Sequence, residues 1–349
     1  MNSKERMEAA IMLQPVDKVP NAPFYEAPIC NYFGKTFRGA LIEDHAMAEA
    51  HIRGVEKYQL DWVMVGMGLI GGILPEALGC TVNYPGDVFP IIEKTSIQSE
   101  DDVETLVRYS LQTDRMERFV KGVSLLHDHF KGEVPIAVEF ISPFSIATRL
   151  RGTNEIMDDL YQHPAMVHRL QELLTVVDIE LGKVLLEAGV QYIFYGADME
   201  CPLLISPKHY EEFVHPYTSR VINALSGEGG ILLPHMCGNI VDTGIVDLLM
   251  ETRCRAIMPG NLTQAEVLDI RKLKAKVEDR ICIFDNLNPN TSLLIGTPAE
   301  TAAETQAHLD RAKGMHGYIF TSAGTMAPTT PQTNFEAMND TVVNYPWTR

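Results

Sequence analysis

Eight short apolar runs, separated by longer helical patterns, constrain this sequence more than any other feature. They are VPNAPFY (19–25), DWVMVG (61–66), PIAVEF (135–140), QYIFYG (191–196), GILLPH (230–235), RAIMPG (255–260), ICIFDN (281–286) and GYIFTS (317–322). Each is mostly apolar and ends in Gly, Pro or a polar cluster, as a strand buried on both faces should. Between them, 163–189 carries apolar residues at three- and four-residue spacing and stops at Gly189. The 206–227 segment opens on Ser206 as a cap with Pro207 in its first turn, and 297–314 does the same with Thr297, Pro298 and a closing Gly314. Eight such alternations favour an α/β chain closed into a (β/α)8 TIM barrel over an open doubly wound sheet. The expectation is a single barrel domain over 1–349, with 1–18 as an N-terminal helical extension. The 67–134 interval is an elaborated connection between the second and third strands, with room for extra helices or a small hairpin.

In such barrels the loops at the C-terminal strand ends build the site. Reading the ends in order gives Tyr25 and Glu26, Gly66 and Gly68, Glu139 and Ser142, Asp198 and Glu200, then His235, Cys237 and Asn239. Asn261, Asp285, Asn286, Ser322 and Thr325 complete the rim. His235 and Cys237 lie two apart at the end of an extended run, so their side chains share a face. Imidazole nitrogen and thiolate sulfur together suit zinc. Taken alone, an H-x-C pair is more often a satisfied histidine beside a small buried cysteine; its place at a strand end tips the balance toward a metal. A catalytic zinc takes three protein ligands and keeps one open position. Asp198 and Glu200, after the preceding strand, are the nearest candidates for the third, and Glu139 is one strand further off. These three carboxylates are also the candidate catalytic groups, and their plainer role would be a network holding the rim.

VMVGMGLIGG contains a G-x-G-x-x-G after a strand, but Pro75 ends the expected helix and no acidic strand end follows about 20 residues on. Gly66 and Gly68 are read instead as letting a ligand or partner approach the backbone, with Asn239 as a further cofactor contact. Arg149 and Arg151 suit a surface ion pair better than an anion site. The net charge of −17 argues against nucleic acid and anionic membranes as partners. The longest apolar stretch, 62–74, is too short and too rich in glycine to span a bilayer. The N-terminus MNSKERMEAA lacks a signal-peptide core, and six scattered cysteines form no C-x-x-C. A reducing cytoplasm is expected.

With these residues placed, the chain resembles the uroporphyrinogen decarboxylase superfamily along nearly its whole length, and within it the cobalamin-dependent methyltransferase branch. The resemblance rests on RMEAAIMLQPVDKVP (6–20), PEALGCTV (75–82), SPFSIATRLRGTNEIMDDLYQHPAMVHRL (142–170), EAGVQYIFYGADMECPLLISPKHYEEFVHPY (187–217), LPHMCGNI (233–240) and the GTPAET and SAGTMAPTTPQTNFEAM stretches. It implies the same barrel, with His235 and Cys237 as zinc ligands and the methyl group carried by the cobalamin of a separate corrinoid protein, since this chain has no D-x-H-x-x-G. The thiol-methylating members have a further Cys where this chain has Thr325. A carboxylate in its place, Glu200 or Asp198, would make the zinc a harder Lewis acid, suited to the oxygen of a methyl ether. The resemblance thus implies a small methylated substrate (ether, amine or thiol), with a homodimer compatible. Uroporphyrinogen decarboxylase activity is the runner-up. Its members grip a polycarboxylate with an arginine-rich segment, and residues 21–35 here contain no Arg. A non-catalytic corrinoid- or tetrapyrrole-binding barrel is the third reading.

Overall fold

A computed structural model of the chain describes residues 1–347 except 87, 109, 197–198 and 262–266. Seven of the apolar runs form one parallel sheet. Its strands are β1 (Val63–Val65), β4 (Ile136–Ile141), β5 (Val190–Gly196), β6 (Ile231–Met236), β7 (Ala256–Pro259), β8 (Cys282–Phe284) and β9 (Tyr318–Ile319), hydrogen-bonded in that order. The remaining two strands, β2 (Thr81–Asn83) and β3 (Ile91–Lys94), make a separate antiparallel hairpin within the 67–134 interval.

The sheet curls, because side chains from distant strands meet inside it. Trp62, just ahead of β1, touches Tyr192 of β5 and Phe284 of β8, with ring centroids 6.5 and 5.6 Å away. Phe24 packs on both Trp62 and Phe194. Burying these rings accounts for several kcal/mol of the folding free energy.

The eighth expected strand, 19–25, is a correction. It is reduced to one parallel bridge, Asn21 with Phe320. Pro20 and Pro23 explain this, since neither has an N–H to donate to a ladder. The segment still bonds both ways: Ala22 N donates to Phe320 O, and Asp61 N donates to Asn21 O. Among the described residues the hydrogen-bonded sheet therefore has seven strands, with 19–25 bonded beside it without forming a strand.

Two prolines show how local chemistry bends the helices. The apolar stretch does not end at Pro75: helix continues over Leu74–Ala77 after a π-turn at Leu69–Ile73. The 206–227 segment is likewise divided into Pro207–His209, a π-turn at Tyr210–Val214, and His215–Gly227. In both, a proline (Pro75 and Pro216) stands two residues past the last residue of a π-turn. Its ring would clash with the carbonyl four residues back, and its missing N–H would break the α ladder. The widened turn removes both conflicts.

The helix Pro298–Ala312 opens on the expected cap. Thr297 Oγ1 accepts from Glu300 N at 3.3 Å, and Thr297 N donates to the Glu300 carboxylate at 2.7 Å. Thr297→Ala is expected to cost about 1 kcal/mol. Urea unfolding reads this as a lower midpoint at unchanged slope.

Candidate metal and substrate site

β6 brings His235 to the C-terminal end of the sheet, paired in register with Met258 of β7. The imidazole is buried, and its Nδ1 lies 3.1 Å from the Met258 carbonyl oxygen. A carbonyl can only accept, so Nδ1 carries a hydrogen, and in the neutral ring Nε2 is the nitrogen that can bind a metal. Phe194 flanks the ring at 5.0 Å. Cys237, half-buried, places its Sγ 3.9 Å from that Nε2. A tetrahedral zinc with ordinary Zn–N and Zn–S bonds separates the two donors by about 3.6 Å. The pair is therefore close to the spacing a shared ion needs.

The space in front of the pair depends on Gly260, at the end of β7. A Cβ there would lie 2.6 Å from Cys237 Sγ and 2.8 Å from His235 Cε1. Backbone bonds from Gly260 N to Met236 O and from Gly238 N to Asn261 O hold the two strand ends together. Gly238, at φ +84°, turns the chain beneath Pro202 and Leu203. Donor set, tautomer and cradle fit zinc as two of its ligands.

A second group of residues gathers near the ends of β1 and β4. Glu139 is buried, and Thr325 Oγ1 donates to its carboxylate at 3.3 and 3.4 Å while lying 3.7 Å from Met67 Sδ. Gly66, at φ +122°, brings β1 so close that a Cβ would sit 2.6 Å from Glu139 N and O. Glu26 completes the group, accepting from Met67 N at 2.6 Å. Burial pushes its carboxyl up to about 7, against the backbone N–H groups of Met67 and Gly66 that favour the anion.

That shift has a sign. Above the ordinary 4.5 the unfolded chain ionises at this position while the fold keeps the proton. Glu26's contribution is therefore greatest below about pH 4.5 and falls as pH rises toward 7. Glu26→Gln is expected to remove about 4 °C of the decline in Tm between pH 5 and 7.5, checked by scanning calorimetry across that range.

Not every expected residue joins these groups. Glu200 is fully buried and its carboxylate accepts from Ser145 Oγ at 2.6 Å, in the first turn of the helix Pro143–Arg151. Among the described residues no three His, Cys, Asp or Glu side chains are grouped as a metal site. Beyond Gly196 the strand's two-residue alternation ends, and with it the inference of facing. Asp198 lies outside the described residues. Gly68 serves packing, since a Cβ on it would overlap Leu41. Asn239 is taken up in a local turn, donating to Asp242 Oδ2 at 2.7 Å and accepting from Asp242 N. Asp285 faces the helices, where its carboxylate meets His308 and the Tyr318 hydroxyl. Arg151 pairs with Asp159 at 3.0 Å, the ion pair expected of it. Sequence reasoning missed Gly260 and the Met258 carbonyl, and saw Glu26 only as a rim residue.

The model of the uroporphyrinogen decarboxylase (URO-D) family matches residues 2–345. The chain is 26% identical to the methylcobamide:CoM methyltransferase MtbA of Methanosarcina mazei over 347 residues, covering 98% of each. It is 22% identical to the methylcobamide:CoM methyltransferase MtaA of Methanosarcina barkeri, covering 96% of each. Against the uroporphyrinogen decarboxylase of Hydrogenovibrio crunogenus it is 22% identical, covering 90% of each. Among solved structures, a methyltransferase from Methanosarcina mazei superposes with a TM-score of 0.83 at 19% identity, over 98% of both chains.

Proposed function

The chain belongs to the uroporphyrinogen decarboxylase family, and from that premise we propose that it is a methyltransferase. It passes a methyl group between a small methylated substrate and the cobalamin of a separate corrinoid protein, with zinc at His235 and Cys237. One observation carries this reading: an imidazole whose Nε2 is turned to a thiol 3.9 Å away, across a gap that Gly260 keeps open. Similarity to the two methylcobamide:CoM methyltransferases over nearly their full length supports it.

In this reading zinc, when bound, supplies a Lewis acid to the substrate's heteroatom. The protein's own residues do the rest. Met258 O holds the His235 ring so that Nε2 faces Cys237. Glu200 or Asp198, both following Gly196 in the sequence, is the carboxylate proposed for the third position. Glu139, oriented by Thr325, accepts a hydrogen bond from the part of the substrate away from the methyl group. Gly66 brings the backbone close to that group. The acidic character of Glu26 and Glu139 suits methyl ethers and methylamines over a polycarboxylate tetrapyrrole, which would need cationic partners. The closed (β/α)8 barrel belongs to the same proposal, with 19–25 as its eighth stave bonded on both sides through Asn21 and Ala22. So do the single domain over 1–349, the cytoplasmic location and the homodimer. No helix among the described residues is long and apolar enough to cross a membrane.

The test is direct. Zinc-loaded protein is mixed with cob(I)alamin and, separately, with methoxylated aromatics, methylamines and methyl thioethers, and the corrinoid spectrum is followed. Conversion to methylcob(III)alamin with at least one class is the expected outcome. Tight corrinoid binding without turnover across the panel would instead make the chain a binding barrel.

A further inference from the structure

At the N-terminal ends of β6 and β7, away from the end that carries His235, lies a cavity of about 340 Å³. Gly230 on its wall and His235 stand about 17 Å apart along extended chain, so it is separate from the site proposed for methyl transfer. Three pieces of chain enclose it: the end of the helix Ser3–Ile11, the turn after the helix His215–Gly227, and the segment that leads into β7.

Two of its lining residues, Arg253 and Arg255, carry guanidinium groups that pair with no carboxylate among the described residues. The chain has 46 acidic residues against 29 basic ones, and exposed arginines elsewhere find partners, Arg169 in Glu104 and Arg220 in Glu172. Arg255 instead sets Nη1 3.1 Å from Met12 Sδ, a thioether that accepts only weakly. Arg253 bonds through its backbone N–H alone, to Asn223 Oδ1. Its Nη1 lies 3.8 Å from where a Cβ on Gly227 would stand, at the C-terminal end of a helix. Glu8, which also lines the cavity, pairs with Lys4 at 3.9 Å. Ser226, a further lining residue, has a hydroxyl shut off from solvent and without a hydrogen-bonding partner.

Charge decides what such a cavity can take. Two guanidiniums bring two positive charges, and the helix end offsets roughly half of one. The remainder matches a phosphate monoester, about −1.5 to −2 near neutral pH, better than a singly charged carboxylate. Planar guanidinium forks also fit phosphate oxygens in pairs. The cavity has an apolar side in Ile11 and Ile231, which inorganic phosphate would leave against water. Its volume is that of a small-molecule site.

We propose that this cavity binds a small organic phosphate monoester, with the phosphate held by Arg253 and Arg255 and the carbon part laid against Ile11 and Ile231. The site is independent of the methyl-transfer reading.

Isothermal titration calorimetry of the full chain with inorganic phosphate and with phenyl phosphate, in sodium chloride at equal ionic strength, tests this. Phenyl phosphate is expected to bind saturably at one site per chain, about tenfold more tightly than inorganic phosphate. Arg253→Gln and Arg255→Gln, both at exposed positions, should each weaken it by about tenfold or more. Without ligand, their Tm should move by about 2 °C at most. No saturable heat with phenyl phosphate, or an affinity unchanged when both arginines are replaced, would overturn the site. Benzoate binding as tightly as phenyl phosphate would overturn the choice of a dianion, and inorganic phosphate doing so would overturn the role of the apolar side.

Discussion

Cys237→Ala is expected to lower methyl transfer by about 10³-fold and to leave the protein with far less than one zinc per chain. The reasoning runs from geometry to magnitude. His235 Nε2 and Cys237 Sγ are 3.9 Å apart, with the imidazole hydrogen fixed on the other nitrogen. Removing the thiolate leaves the imidazole and the proposed carboxylate, and two ligands hold zinc far more weakly than three at ordinary free concentrations. A Lewis acid at the reacting heteroatom is worth several kcal/mol, about three decades in rate. Metal analysis and turnover should fall together, while Tm moves little because Cys237 is only half-buried. Full activity in metal-free protein would remove zinc from the mechanism altogether.

How far the sequence reveals this site depends on the distance over which each residue's role is decided. The run at 230–235 reads as a strand ending in a ligand pair because alternation and composition are local, and β6 occupies Ile231–Met236. The cap at Thr297 is legible for the same reason: its partner is three residues away. Run 19–25 misleads because its apolar content suggests a strand while Pro20 and Pro23 deny it the ladder. Order along the chain places Glu200 after β5, but once the strand ends nothing in the sequence says where its carboxylate turns, and the contact with Ser145 is not legible there. Gly260 is invisible for a third reason: its neighbours His235 and Cys237 lie on another strand, and only the β6–β7 register makes them meet.

Gly260 also yields the second large effect. Gly260→Ala is expected to weaken zinc binding and activity by about 10²-fold with the fold intact. The added methyl would sit 2.6 Å from Cys237 Sγ, 2.8 Å from His235 Cε1 and 3.0 Å from Cys237 Cα. Real contacts of that kind need nearly 1 Å more, so the pair must part or turn. Gly260 is absent from the positive-φ glycines, and alanine brings no backbone strain. The cost therefore falls on the site: a misplacement of about 1 Å can remove two decades of catalysis. Local overpacking should cost about 1–3 kcal/mol of stability, short of unfolding a chain with so large a core. Gly238→Ala provides the contrast. There φ is +84° and the neighbours are Leu203 and Pro202, so the penalty is backbone strain and should appear in Tm more than in zinc content. Wild-type zinc affinity in Gly260→Ala would show that the ion, if bound, sits away from the face that Gly260 keeps open.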